Sequence, residues 1–129
     1  MYINLHNDEK INMRTICFDI DGIICKTKSS DYKNSKPIQK NINKINQLFD
    51  KGFYIKIFTA RYMGRSNENS KLASKKAKQI TLTQLKKWKV KYHKVIFGKP
   101  SYSLFIDDRN IFYKSNWSEK IDYEIKKIL

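Results

Sequence analysis

The run Phe18-Asp19-Ile20-Asp21-Gly22 sets two carboxylates two residues apart at the end of a short apolar stretch. Side chains at that spacing on extended backbone point the same way, so Asp19 and Asp21 project together and repel. A second acidic pair, Asp107-Asp108, closes another apolar stretch, Leu104-Phe105-Ile106. Four acids in one cleft would drive some of them to protonate unless a cation neutralises them. All-oxygen donors suit a hard cation, and Mg2+ above others, because it takes few protein ligands and keeps positions open for water and phosphate. Asp19, Asp21, Asp107 and Asp108 are therefore the candidate metal ligands. Lys99, which follows Gly98, adds a positive charge able to balance a nucleophile against a phosphoryl group. Thr59 offers a hydroxyl that makes, with the backbone N–H of Ala60, a donor pair for a phosphoryl oxygen. Asp19, Asp21, Thr59 and Lys99 thus supply a nucleophile, an acid or base, a hydroxyl donor and a cation. Arg61, Arg65 and Arg109 are further candidates for a substrate's phosphate or carboxylate, against a default of solvated arginines.

Each group needs an element to carry it. Thr15-Ile16-Cys17-Phe18 reads as a fully buried, central parallel strand ending at Asp19. After a polar loop, Pro37 stands where a first helical residue is tolerated, Ile38, Ile42, Ile45, Leu48 and Phe49 follow at helical spacing, and Gly52 supplies a stop. Phe53 to Phe58 is a second strand and delivers Thr59-Ala60-Arg61 to its end. From Arg65 to Lys91 the chain is lysine-rich and reads as one or two helices with a basic outer face, Leu82, Leu85 and Trp88 suiting a short helix opened by Thr81 or Thr83. Val95-Ile96-Phe97 and Leu104-Phe105-Ile106 are the third and fourth strands, and Ile121, Ile125 and Ile128 stripe a C-terminal helix. The alternation predicts an α/β fold, a doubly wound, Rossmann-like parallel sheet with helices on both faces. In such sheets ligands bind beyond the carboxyl ends of the strands, where the candidate residues fall. Residues 1–14 read as an N-terminal extension or an edge strand.

The chain has 129 residues, of which 40% are hydrophobic, enough for one ordinary core, so residues 1–129 are expected to form one domain. No run approaches the roughly 18 consecutive apolar residues of a membrane span, and Met1 to Lys10 lacks a secretion leader. These features lead to the expectation of a cytoplasmic protein with no membrane association. Cys17 and Cys25 lack a second pair to complete a metal set, which points to free thiols in a reducing compartment. The formal charge of +15 favours phosphate or nucleic-acid partners, yet Lys, Asn and Ile have codons rich in A and T, and base composition alone accounts for much of it. Trp88, Tyr92 and Phe97 fit helix and strand cores better than a base-stacking surface, so nucleic acid is not the expected partner. His6 and His93 have no partner spacing for metal or triad chemistry and are read as structural.

Taken in order along Thr15 to Arg109, these residues resemble the four motifs of the haloacid dehalogenase-like phosphohydrolases. The resemblance implies that Asp19 is a nucleophile forming an aspartyl-phosphate, and that Asp21 protonates the leaving group and later activates water. Thr59 and Lys99 match the second and third motifs, and Asp107 and Asp108 the metal-binding fourth. It further implies Mg2+ bound by the Asp19 side chain and the Asp21 backbone carbonyl. The strings Ile57-Phe58-Thr59-Ala60-Arg61, Phe97-Gly98-Lys99-Pro100 and Ile106-Asp107-Asp108-Arg109 look like small members linked to capsule and surface-polysaccharide biosynthesis, which implies a small phosphorylated metabolite as substrate. Ile23 departs from the Thr or Val usual after the Asp-Gly pair and keeps the position apolar. Only a loop separates Gly22 from Pro37, and only a helical stretch separates Thr59 from Lys99, so the chain resembles the capless members. Their open sites call for a large substrate or a neighbouring subunit, and a homo-oligomer is one expectation. Nucleic-acid end phosphatase and basic binding protein without turnover are the alternatives.

Overall fold

The computed structural model describes residues 14–63 and 70–128. Residues 1–13 and Arg65, for which an extension and a substrate contact were expected, lie outside the described residues. Strand β1 (Thr15–Phe18) is followed by a small antiparallel pair, β2 (Cys25–Lys26) and β3 (Lys36–Pro37), with a 3-10 turn at Tyr32–Asn34 between them. Then come α1 (Gln39–Asp50), β4 (Tyr54–Thr59), α2 (Ser70–Lys87), β5 (Lys94–Phe97) and α3 (Trp117–Ile128). The fold is α/β: among the described residues, a three-stranded parallel sheet in the order β1-β4-β5 is flanked by three helices, with no large cap.

Burial explains why β4 is central. Ile55, Ile57 and Thr59 alternate along it and are fully buried, as a strand covered on one face requires. β1 was expected to be central and buried throughout. It is instead the edge of the described sheet, paired only with β4, and Cys17 is exposed. The apolar run is short, and an apolar four-residue stretch does not distinguish an edge strand from a central one.

Helix α1 presents Ile42, Ile45 and Leu48 at spacings of three, all fully buried, and each contributes roughly 2 kcal/mol of transfer free energy. Its end is a double hydrogen-bonded cap: the Phe53 N–H reaches the Leu48 carbonyl (3.1 Å), and the Gly52 N–H, at φ +100°, reaches Phe49 (3.0 Å). Helix α2 ends the same way, with Val90 N–H on Leu85 O (3.0 Å) and Lys89 N–H on Lys86 O (3.1 Å). There Lys89 occupies the left-handed position, at φ +56°. The helix runs through Thr81 and Thr83 rather than starting at either, and the Thr81 hydroxyl donates back to the Ala77 carbonyl (3.2 Å). Leu82 is exposed, whereas Leu85 is fully buried. Pro37, expected at the first turn of α1, pairs with Cys25 in β3 instead, leaving Ile38 to lead into the helix.

Asn41 joins three parts of the molecule. Its amide Nδ2 donates to the Ile23 carbonyl (2.7 Å) and the Tyr113 hydroxyl (3.1 Å), while its Oδ1 accepts the Trp117 indole N–H (3.0 Å). Trp117 in turn meets Phe18 edge to face at 5.9 Å. On the far side of the sheet end, His93 stacks between Phe49 and Tyr54 at 4.5 Å from each, and its Nδ1 accepts the Ile55 N–H (3.0 Å). The structural reading of His93 holds.

The expected fourth strand is absent from the described structure. Residues 101–110 are all exposed, Leu104 at 77% and Ile106 at 88%, and no ladder pairs them.

Candidate active site

β1, β4 and β5 run parallel, so their carboxyl ends share one edge of the sheet, and each delivers one candidate there. Asp19 follows β1, Thr59 closes β4 and Lys99 follows β5. Gly98, at φ +106°, turns the chain after β5, and the Lys99 N–H donates to the Thr59 carbonyl (3.1 Å), fixing that lysine to the central strand. Its side chain reaches across to Asp19, with Nζ 3.5 Å from Oδ2. The other carboxylate oxygen, Oδ1, accepts the Ile20 N–H (2.8 Å).

Burial, the largest influence, pushes the Asp19 carboxyl above its ordinary range against the opposing pull of Lys99 and the Ile20 N–H, and the nearby charge of Asp21 adds to the rise. Burial pulls Lys99 downward, but Tyr102 and Asp19 together outweigh it and hold the ammonium above its usual value. The two directions agree physically: the pair attracts, and desolvation of the carboxylate exceeds that attraction. Lys99 also lies 5.3 Å from the ring centre of Tyr102 and 5.7 Å from that of Phe105.

Asp21 has a different partner. Arg61 donates from Nε to Oδ2 (2.9 Å) and from Nη2 to Oδ1 (2.9 Å), and Oδ1 also accepts from the Thr27 hydroxyl. Arg61 was expected to meet substrate. Its residue is only 2% exposed, and its side chain is spent on Asp21, Thr81 and Gln84. Despite its burial, its partner Asp21 holds the guanidinium above its usual value. Thr59 is likewise fully buried, and its Oγ1 accepts the Arg61 N–H (3.1 Å), which closes the Thr59-Ala60-Arg61 turn. As arranged, that hydroxyl orients the turn rather than facing a substrate; the half-buried Ala60 is the more open of the two.

The chain matches no family model and no curated protein. It is similar to a solved structure, that of an MCSG target from Vibrio cholerae, with a TM-score of 0.75 at 28% identity over 89% of this chain and 95% of that one. The likeness extends over nearly the whole of both chains and agrees with the α/β architecture described above.

The acids expected to gather do not all do so. Asp107 and Asp108 are exposed in the unpaired segment, and Asp107 Oδ1 accepts the N–H of Arg109, itself exposed (2.8 Å). Among the described residues no group of three or more His, Cys, Asp or Glu is close enough to hold a metal ion. The donor chemistry suits Mg2+, but the present arrangement does not make a cage for it, because Leu104–Ile106 supplies no strand to carry the second acidic pair to β1.

The loop expected between Gly22 and Pro37 contains the β2–β3 pair, with Lys26 and Lys28 exposed on it. Sequence reasoning missed Thr81, Gln84, Thr27 and Ser35, which surround Arg61 and Asp21. A signal for the first two existed. Thr81 and Gln84 lie on the buried face of α2 with Ala77 and Leu85, and polar residues on an apolar helix face ask for a buried partner.

Proposed function

We propose that this chain is a phosphomonoesterase in which Asp19 is the nucleophile. A carboxylate oxygen of Asp19 attacks phosphorus, a P–O bond to Asp19 forms, and the P–O bond to the leaving oxygen breaks while a proton passes to that oxygen from Asp21. Water then attacks the aspartyl-phosphate, gives its proton to Asp21, and releases inorganic phosphate with Asp19 restored. Lys99 balances the charge that builds between Asp19 and the phosphoryl group. The observation that supports this reading most is the approach of Lys99 to Asp19. Two residues eighty positions apart are brought to 3.5 Å from the ends of β1 and β5, across the end of β4, with the Asp19 side chain still 36% exposed to an incoming ester.

Asp19, Asp21, Asp107 and Asp108 are the oxygen donors that would hold Mg2+ were Asp107 and Asp108 brought to the strand ends, where the cation would shield the charge of the phosphate. The substrate class is a small phosphorylated metabolite such as a sugar phosphate or a phosphorylated precursor of a surface polysaccharide, a choice supported by the motif resemblance. Among the described residues no helix is long and apolar enough to cross a membrane.

Asp19→Asn is expected to lower phosphate release from an aryl phosphate by at least about 10³-fold in the presence of Mg2+; retained turnover overturns the mechanism. A second reading, action on nucleic-acid ends, is favoured by Tyr102 and Phe105, half-exposed aromatic rings beside Lys99. Rates on a 3′-phosphorylated oligonucleotide and on sugar phosphates separate the two.

A further inference from the structure

We propose that Arg61, braced by Thr81 and Gln84 of α2, is a positioning residue that sets the orientation of the Asp21 carboxyl for proton transfer. The inference rests on the reading in which Asp21 handles the proton.

The guanidinium is held from every side. Nη1 donates to Thr81 Oγ1 (3.1 Å) and Gln84 Oε1 (2.7 Å), on the side away from the carboxylate. Nη2 and Nε form the fork on Asp21, and Nη2 also lies 3.4 Å from Ser35 Oγ in the small hairpin. One face is covered by the Tyr32 ring, 4.9 Å away, and the Arg61 backbone is fixed by Thr59. Gln84 spans two partners, since its Nε2 donates to the Tyr32 carbonyl (2.5 Å) while its Oε1 holds Arg61. A planar fork gripping both carboxylate oxygens fixes the plane of the carboxyl group as well as its position, which a lysine cannot do. Asp21 immediately precedes the exposed Gly22 and is itself half-exposed, and apart from the fork its carboxylate is met by the Thr27 hydroxyl at Oδ1. Through Arg61, α2 fixes the plane of the Asp21 carboxyl, with the Thr27 hydroxyl as its second anchor.

A buried ion pair that served folding alone would slow all substrates alike. An orienting role has a different signature, because a good leaving group departs without a proton and a poor one does not. Phosphate release by the full chain is measured on p-nitrophenyl phosphate and on phenyl phosphate for wild type, Arg61→Lys, Arg61→Met and Gln84→Met. For Arg61→Lys, kcat/KM, which reports the first phosphoryl transfer and not the hydrolysis common to both esters, is expected to fall about 10²-fold on phenyl phosphate and less than about 10-fold on p-nitrophenyl phosphate. Gln84→Met is expected to show the same ratio at smaller amplitude, and added guanidinium ion to restore part of the phenyl phosphate rate of Arg61→Met. Equal losses on both esters, or none, overturn the inference. Should the arginine variants fail to fold, the ratio measured on Gln84→Met decides. A wild type that releases no phosphate, or an Asp19→Asn variant that still does, overturns the parent reading; equal losses with those controls intact overturn only the role of Arg61.

Discussion

At Asp19, burial raises the carboxyl pKa despite a lysine 3.5 Å away, and the sign of that shift carries through to stability. The folded chain holds a proton on Asp19 at pH values where the unfolded chain has released it. Stability is therefore lost as pH rises through the ordinary carboxylate value toward the raised folded one, and the loss persists at neutral pH. In chelator-treated protein, Asp19→Asn removes that cost while keeping an acceptor for the Ile20 N–H. It is expected to melt higher at pH 7 by about 2 °C, a modest figure because the side chain is partly solvated. The difference should shrink as pH falls below the ordinary carboxylate range. A lower melting temperature at pH 7, read by calorimetry, contradicts the balance of burial and attraction assigned here. Which acid meets which cation was only half legible at this scale. Asp19 with Lys99 follows from strand-end placement alone, whereas Asp21 with Arg61 requires the guanidinium to be buried against α2, and residue type and spacing carry no record of that.

The elements divide along the same line. α1, with its stripe and Gly52 cap, and β4, with its alternating burial, were readable because each repeats a period over enough residues for tertiary contacts to follow it. The start of α2 was misread at Thr81 because a threonine before an apolar residue looks the same whether it caps a helix or bonds back to the preceding turn. Leu104-Phe105-Ile106 was read as a strand on three residues, too few to fix a period. The helix ends offer a clean test. Lys89 adopts at the end of α2 the left-handed conformation that glycine adopts at the end of α1, and a β-carbon there costs about 1 kcal/mol. Its side chain is exposed, while its backbone carbonyl accepts from Asn46 Nδ2 (2.9 Å), a bond that glycine keeps. Lys89→Gly is expected to raise unfolding stability by roughly 0.5–1 kcal/mol in urea titration without altering the slope; a decrease would mean that the lysine side chain contributes more than the strain removes.

For the molecule as a whole, the acidic pair and the apolar residues that precede it lie together outside the sheet. Leu104 and Ile106 expose apolar surface beside Asp107 and Asp108, and β1 has no described strand on its other side. If a cation is held jointly by Asp19 and Asp107, the segment must pack against β1, and binding becomes linked to the burial of that surface. Millimolar Mg2+ is then expected to raise the melting temperature of the wild type, with about 2.7 kcal/mol available at a hundredfold excess over the dissociation constant. The same addition should leave Asp107→Asn nearly unchanged. An equal shift in both proteins would assign the effect to general screening of the +15 charge instead.

The contact between Phe18 and Trp117 gives the molecule an optical gauge. The indole is buried against the residue that precedes Asp19 and is hydrogen-bonded through Asn41 to the turn that follows Asp21, so its emission colour registers polarity on both flanks of the acidic pair. The other indole, Trp88, is half-buried at the end of α2, and Trp88→Phe leaves a single emitter. Arrival of a ligand at Asp19 can then be followed by fluorescence in real time, with no label attached.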